Sequence, residues 1–423
     1  MLRMWSVTWL VILGLSATVA CNDAGDNGNA PADDTMDTMD VQDDTQDDEA
    51  DAPQDATEEP QDVVDVQDVV PDEPDEERVF DEDPLLWPLD LPGAFRVGYR
   101  YQEVTYTSPA TGAERTIGWN VWYPTEDLEG APARYLDTTT FQDFEAFADA
   151  SLAPSPYPDG RYPVHVHSHG SQGFGGTSSF LMRHFASHGW VVVAPDHTDN
   201  LINDDLSPRP TATYIHRSTD ITQALDVLEN LPQEDPLAGL ADTSRVFMSG
   251  HSFGVFTTWA SIGATFDMDL VRAQCEDGSL ALGCTEQELA VFEAGLHDER
   301  VVASAPMAGT YRASWFGPDG FRSVTTPVMS LTGTQDPVGQ EDQWENLADM
   351  GSLLTWVEIR GACHQSFALG FCGSLFASEG FTIINNVTLA LARNIVLDDQ
   401  AQATLDILDG TTRFNPNVLL QRR

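Results

Sequence analysis

The apolar run Arg245-Val246-Phe247-Met248-Ser249, followed at once by Gly250-His251-Ser252-Phe253-Gly254, constrains this 423-residue chain more than any other stretch. A strand that ends in G-x-S-x-G predicts a tight strand-to-helix turn with serine at its apex, because the glycine positions leave no room for a Cβ. A serine hydroxyl is a poor nucleophile in water and must be presented to a base and to backbone N–H donors. The following helix, predicted from Val255 to about Ala264, aims its positive end at the reacting centre. Five residues of this kind recur by chance, so the surrounding chain has to carry the argument.

That context is a repeating pattern. Phe95 to Thr107 and Arg115 to Tyr123 alternate polar with apolar residues around Ser108-Pro109-Ala110-Thr111-Gly112, which predicts an antiparallel hairpin. A loop from Thr125 to Tyr162, with a short helix near Phe141 to Ala150, comes next. Strand and helix patterns then alternate: Pro163 to His167, Ser178 to His188, Trp190 to Pro195, Ser218 to Leu231, Arg245 to Ser249. Such alternation predicts a mostly parallel central sheet with helices on both faces. Residues 265–299 read as an irregular insertion in the position of a lid. Strands at Val301 to Ala305, Pro327 to Thr332 and Leu354 to Arg360, and helices near Gln343 to Met350 and Thr382 to Val396, complete the pattern, with the last of these strands expected to end the sheet.

Acyl transfer through serine requires a base to take the hydroxyl proton and a carboxylate to fix that base's tautomer. Asp336 ends a predicted strand within Gly333-Thr334-Gln335-Asp336-Pro337, and His364 follows the next one within Arg360-Gly361-Ala362-Cys363-His364-Gln365. Taken singly, the aspartate reads as a turn former and the histidine as a solvated loop residue. The order Ser252, Asp336, His364 after this elbow is what joins them into a candidate triad. For the oxyanion, one N–H is expected from Phe253 and the other from Ser171, in the glycine-rich turn His169-Gly170-Ser171-Gln172-Gly173 after the first parallel strand. His165, His167 and His169 allow a metal site as an alternative, but His169 reads better as a brace for this turn, and no metal or cofactor is expected. His251 is expected in the pocket wall, as are Tyr311 and Trp315, for which core packing is the equal alternative.

The ends of the chain say where it works. Met1 to Ala20 has the charge and apolar pattern of a secretory signal, and Thr18-Val19-Ala20-Cys21 resembles a lipobox whose Cys21 would be lipidated; simple cleavage is the alternative. Residues 21–83 are expected to be a disordered tether: from Asn22 to Asp83 there are 26 acidic residues and one basic residue, with few large apolar side chains to offset ordering. A cation-binding or partner-binding tail is the alternative for that segment. The folded part, 84–423, is also acidic, and the chain's 20 basic residues are all arginine against 68 acidic ones. A surface of that sign excludes nucleic acid as a partner class. The remaining cysteines, Cys275, Cys284, Cys363 and Cys372, predict two disulfides in an oxidising compartment. Three pairings exist, and short loop closure favours 275–284 with 363–372.

The stretches H-S-H-G-S, F-A-S-H-G-W-V-V-V-A-P-D-H, G-H-S-F-G, S-A-P, G-T-Q-D-P and I-R-G-A-C-H-Q-S-F resemble the α/β-hydrolases over nearly all of the folded part. Within them the chain is similar to the branch holding platelet-activating-factor acetylhydrolases, cutinase-type polyester hydrolases and predicted dienelactone hydrolases. The resemblance implies Ser252 as nucleophile, His364 as base, Phe253 and Ser171 as oxyanion donors, and Asp336 at the position the polyester hydrolases use. The acetylhydrolases take their acid from an earlier strand end, where Met307-Ala308-Gly309-Thr310 has no carboxylate. Dienelactone hydrolases carry cysteine at the elbow, which argues against their substrate. The expectation is therefore an exported, lipid-anchored, monomeric serine esterase at the outer membrane or cell surface, acting on a small-molecule, lipid or polymeric ester. A peptidase or amidase on the same fold, and a non-catalytic binding lipoprotein on a hydrolase scaffold, are the alternatives.

Overall fold

Residues that are apolar on both faces of a strand can be buried only in the middle of a layered sheet, and that is where the strands from Tyr162–Ser168 to Val328–Gly333 lie. The structure is a computed structural model that describes residues 79–204, 209–277, 283–309, 313–338, 344, 347–410 and 414–423. The signal, Cys21 and the acidic stretch up to residue 78 lie outside them, as do residues 343, 345 and 346 of the helix expected near Gln343 to Met350, of which 347–349 form a turn.

In chain order the described elements that position the site are β1 (Arg96–Thr107), β2 (Glu114–Thr125), β3 (Pro132–Arg134), β4 (Gln142–Ala148), β5 (Tyr162–Ser168), α1 (Ser179–Ser187), β6 (Val191–Asp196), α2 (Ala212–Glu229), β7 (Ala241–His251), α3 (Phe253–Ser261), α4 (Met268–Asp277), α5 (Glu286–Ala294), β8 (Val301–Met307), β9 (Val328–Gly333), β10 (Leu354–Ile359), α6 (Ala377–Val396) and β11 (Val418–Arg422). One sheet holds these strands in the order β11-β10-β9-β8-β7-β5-β6-β2-β1-β4-β3. From β6 to β10 every neighbouring pair is parallel. The β1–β2 hairpin pairs antiparallel in itself, from Thr107 opposite Glu114 to Arg96 opposite Thr125, and joins β6 antiparallel.

Two apolar layers sandwich this sheet. One contains Val164, Val166, Val246 and Met248 with Ile215 and Ile221 of α2 and Phe256 and Trp259 of α3. The other contains Val192, Ala194 and Phe247 with Leu181 and Phe185 of α1 and Ile383, Ile384 and Val387 of α6. Burying such side chains contributes roughly 1.5–3 kcal/mol each, which makes the sheet a rigid platform for its C-terminal edge.

Three local expectations are corrected. Residues 142–148 form the strand β4 instead of a helix: Phe141, Phe144 and Phe147 mimic helical spacing, but the edge of β1 supplies backbone partners, Gly98 opposite Phe147 and Tyr99 opposite Ala148. Tertiary pairing of this kind overrides local propensity. The sheet does not end with β10, because β11 adds antiparallel to it, Glu358 opposite Leu419. Residues 265–299 are not irregular: α4 and α5 lie there, the latter closed by a Thr285–Glu288 capping box. Val271 and Phe292 from this section are buried in the core.

Candidate active site

The elbow forms because three backbones converge on it. Ser252 takes φ 54° and ψ −114°, outside the regions a serine ordinarily adopts. Its N–H donates to the Met307 carbonyl at 3.0 Å, which holds the strained turn against the end of β8. Gly254 lies so close to β5 that a Cβ there would collide with the Ser168 carbonyl. Strain of this kind persists only where surrounding structure over-determines it.

Both residues expected to act with Ser252 arrive at the same sheet edge. Asp336 follows β9 and His364 follows β10, two neighbouring parallel strands whose C-terminal ends face the elbow. His364 Nε2 lies 2.9 Å from Ser252 Oγ, and His364 Nδ1 lies 3.1 and 3.2 Å from the two Asp336 carboxylate oxygens. The Asp336 side chain is fully buried while that of His364 is 22% exposed, so the carboxylate is dry and the imidazole remains reachable. A buried carboxylate on Nδ1 keeps the proton there and leaves the Nε2 lone pair for the serine hydroxyl. Asp336 Oδ1 also accepts the Val338 N–H at 2.9 Å, which fixes the carboxylate plane.

His251 braces the histidine loop. Its Nε2 donates to the His364 carbonyl at 3.0 Å, and its ring packs 4.8 Å from that of His364. Burial, and secondarily the neighbouring His364, holds its pKa well below the usual histidine range. Its Nδ1 makes no hydrogen bond among the described residues, so the ring nitrogen bonded to Ser252 Oγ is that of His364 and not that of His251.

Across from the elbow, the turn after β5 approaches closely enough that a Cβ on Gly170 would sit 3.0 Å from Ser252 Cβ. Among the described residues, the backbone N–H groups of Ser171 and Phe253 donate to no protein acceptor. His197 N–H donates to His169 Nε2 at 3.0 Å, so the His169 proton sits on Nδ1 and goes to the Gly170 carbonyl at 2.7 Å. The His169 carbonyl accepts from Arg217. Arg217, fully buried, also donates to Asn200 Oδ1 at 2.5 Å, to Thr257 Oγ1 at 3.1 Å and to Ser168 Oγ at 3.1 Å.

A second Ser-His-Asp chain runs behind this turn. Ser168 Oγ lies 3.0 Å from His197 Nε2, and His197 Nδ1 lies 2.9 Å from Asp220 Oδ2. All three residues are buried, and Asp220 is further clamped by Arg115 at 2.8 and 2.9 Å.

His165 and His167, which the sequence puts on one strand face, both contact Ser249 Oγ at 2.7 Å. His169 turns away to Gly170, and no group of three or more His, Cys, Asp or Glu among the described residues is arranged to hold a metal ion. Trp315 is fully buried against Tyr214 and Phe292, in the core and not along an open wall. Tyr311 lies outside the described residues. Cys275 and Cys284, and Cys363 and Cys372, form the two local disulfides, with Cα separations of 5.3 and 5.8 Å. The second loop carries His364. Reading the sequence did not find Arg217, Arg209 or Asn200 at the turn: they are separated from Ser171 by β6 and a long connection, and only the fold brings them together.

A family model described as Chlorophyllase matches residues 136–271, less than half of the chain, a span that includes Ser171 and Ser252 but neither Asp336 nor His364. Among curated proteins none matches. Among solved structures, a ferulic acid esterase from Streptomyces cinnamoneus is similar in fold, with a TM-score of 0.56, 18% identity, and coverage of 79% of this chain and 99% of that one. With its parallel sheet, its strand-elbow-helix unit and its likeness to this esterase structure, the chain has the α/β-hydrolase fold.

Proposed function

We propose that this protein is a serine hydrolase that cleaves carboxylic esters through an acyl-enzyme intermediate. The observation that carries the reading is the His364 ring, bonded to Ser252 Oγ on one side and to the buried Asp336 carboxylate on the other. Ser252 Oγ attacks the ester carbonyl while His364 Nε2 takes its proton. Asp336 holds the imidazolium, and the N–H groups of Phe253 and Ser171 receive the oxyanion. The intermediate collapses as His364 gives its proton to the leaving alcohol. A water molecule, deprotonated by the same nitrogen, then attacks the acyl-enzyme, and the acid leaves with Ser252 restored. No metal or cofactor enters this scheme. An esterase among the solved structures of similar fold, and a matching family model named for a chlorophyll-directed enzyme, support an ester in preference to an amide.

We extend the proposal to export and lipid attachment at Cys21, on the sequence pattern at residues 1–21. No helix among the described residues is long and apolar enough to cross a membrane.

The test is hydrolysis of p-nitrophenyl acetate, butyrate and laurate by the parent, Ser252→Ala, Asp336→Asn and His364→Ala proteins. Turnover by the parent and loss of several orders of magnitude in each variant supports the reading. A folded parent that is inert on all three esters favours the non-catalytic alternative.

A further inference from the structure

Arg209 stands out by what it lacks. In a chain with 68 acidic residues, the partly or fully buried Arg100, Arg115, Arg183 and Arg300 each meet a carboxylate. Arg217 and Arg393, both buried, are held instead by carbonyls, hydroxyls, an amide oxygen and a histidine ring. Arg209 is half-buried, and its one hydrogen bond among the described residues runs from Nη2 to Ser171 Oγ at 2.8 Å. Its Nε is buried without a partner. The guanidinium carbon lies 4.6 Å from the centre of the Phe253 ring, and Arg217 lies 4.5 Å from the same centre. Among the described residues, then, a cation that meets no carboxylate touches both residues proposed to supply the oxyanion N–H groups. Guanidinium groups bind carboxylates tightly through paired, charge-assisted bonds, and leaving one unpaired beside a nucleophile is costly unless an occupant completes it.

Resting on the esterase reading, we propose that Arg209 is a specificity residue that receives a carboxylate on the acyl part of the substrate, so that half-esters of dicarboxylic acids are the preferred class. The acyl side is indicated because the leaving alcohol is protonated by His364, whereas Arg209 contacts the oxyanion residues. The strongly acidic composition makes a general attraction for anions the wrong expectation. An anion preference in this protein has to come from the site itself.

The experiment compares kcat/KM for monoethyl adipate with that for the ethyl ester of adipamic acid, of the same length but neutral, using the full-length protein. The parent should prefer the anionic ester by about tenfold to a hundredfold, mainly through KM, and the preference should shrink as salt is added. Arg209→Gln should bring the ratio close to one; any effect it has on both esters through Ser171 divides out. Arg209→Lys should keep part of the preference, and Arg209→Glu should reverse it. A parent ratio at or below one, or a ratio unchanged by Arg209→Gln in a folded variant, overturns the proposal while leaving the esterase reading intact. A parent that cleaves neither ester, nor any p-nitrophenyl ester, removes the esterase reading and this inference with it.

Discussion

The molecule contains two Ser-His-Asp chains with nearly the same distances, and they differ in everything else. In Ser252-His364-Asp336 the contacts are 2.9 Å and 3.1–3.2 Å; in Ser168-His197-Asp220 they are 3.0 and 2.9 Å. The first serine sits on a strained elbow beside the Ser171 and Phe253 N–H groups, which bond to no protein acceptor among the described residues, with a partly exposed histidine. The second ends an unstrained strand, its oxygen already accepts from Arg217, and its histidine is fully buried. Hydrogen-bond connectivity alone does not make a nucleophile; access, an oxyanion site and a free path for the proton do. The same atoms in the buried chain become a brace: Asp220 on α2, His197 after β6 and Ser168 at the end of β5 hold the turn that carries Ser171.

The largest effect that would break this comparison is on turnover. Ser252→Ala should lower kcat by about 10⁴-fold or more, and Asp336→Asn by a comparable factor with the fold retained, because the imidazole loses its tautomer. Ser168→Ala should leave the enzyme active. The effects on stability should run the other way. Asp220→Asn takes from the buried Arg115 the buried carboxylate it grips with two bonds, leaving it the exposed Asp199 at 3.2 Å, and should lower the unfolding free energy by about 3 kcal/mol in a denaturant titration, more than Asp336→Asn does.

Acid should separate the two regions next. Burial holds His165, His167, His169, His184, His188, His197 and His251 well below the usual histidine range, so the folded state keeps them neutral. The unfolded chain takes up those protons below about pH 6.5, so this stability is present above pH 6.5 and lost as pH falls, on the order of 1 kcal/mol per pH unit for each ring. Thermal melts from pH 8 to 5 should show a steep loss starting near 6. Asp196, whose carboxyl burial pushes up to about 6, has the opposite sign: its contribution is full below about pH 4 and is lost as pH rises to 6. Measured against Asp196→Asn, the parent should therefore lose about 1–3 kcal/mol of relative stability between pH 4 and 7.

The Ser252-His364-Asp336 arrangement proposed as the triad was legible in the sequence, and the buried Ser168-His197-Asp220 chain was not. Ser252 announces itself through two glycines and an apolar strand, and Asp336 and His364 through their places after the next strand ends. Each signal is local. Ser168, His197 and Asp220 carry no motif; each looks like an ordinary residue at a strand end or on a helix, and their contact depends on β5, β6 and α2 packing together. The same limit explains β4, next to one edge of the sheet, and β11, at the other, short strands whose signal is a partner strand distant in sequence, and Arg209, whose meaning depends on which carboxylates among the described residues fail to reach it. Trp315 was ambiguous for a related reason: an aromatic after a strand reads alike whether it faces the core or a pocket.

One measurement tests the central claim directly: treat the folded full-length protein with a fluorophosphonate, then map the modified residue by peptide mass. The account predicts a single adduct on Ser252, absent in Ser252→Ala and unchanged in Ser168→Ala. An adduct on Ser168, or no adduct on a folded protein, would contradict it.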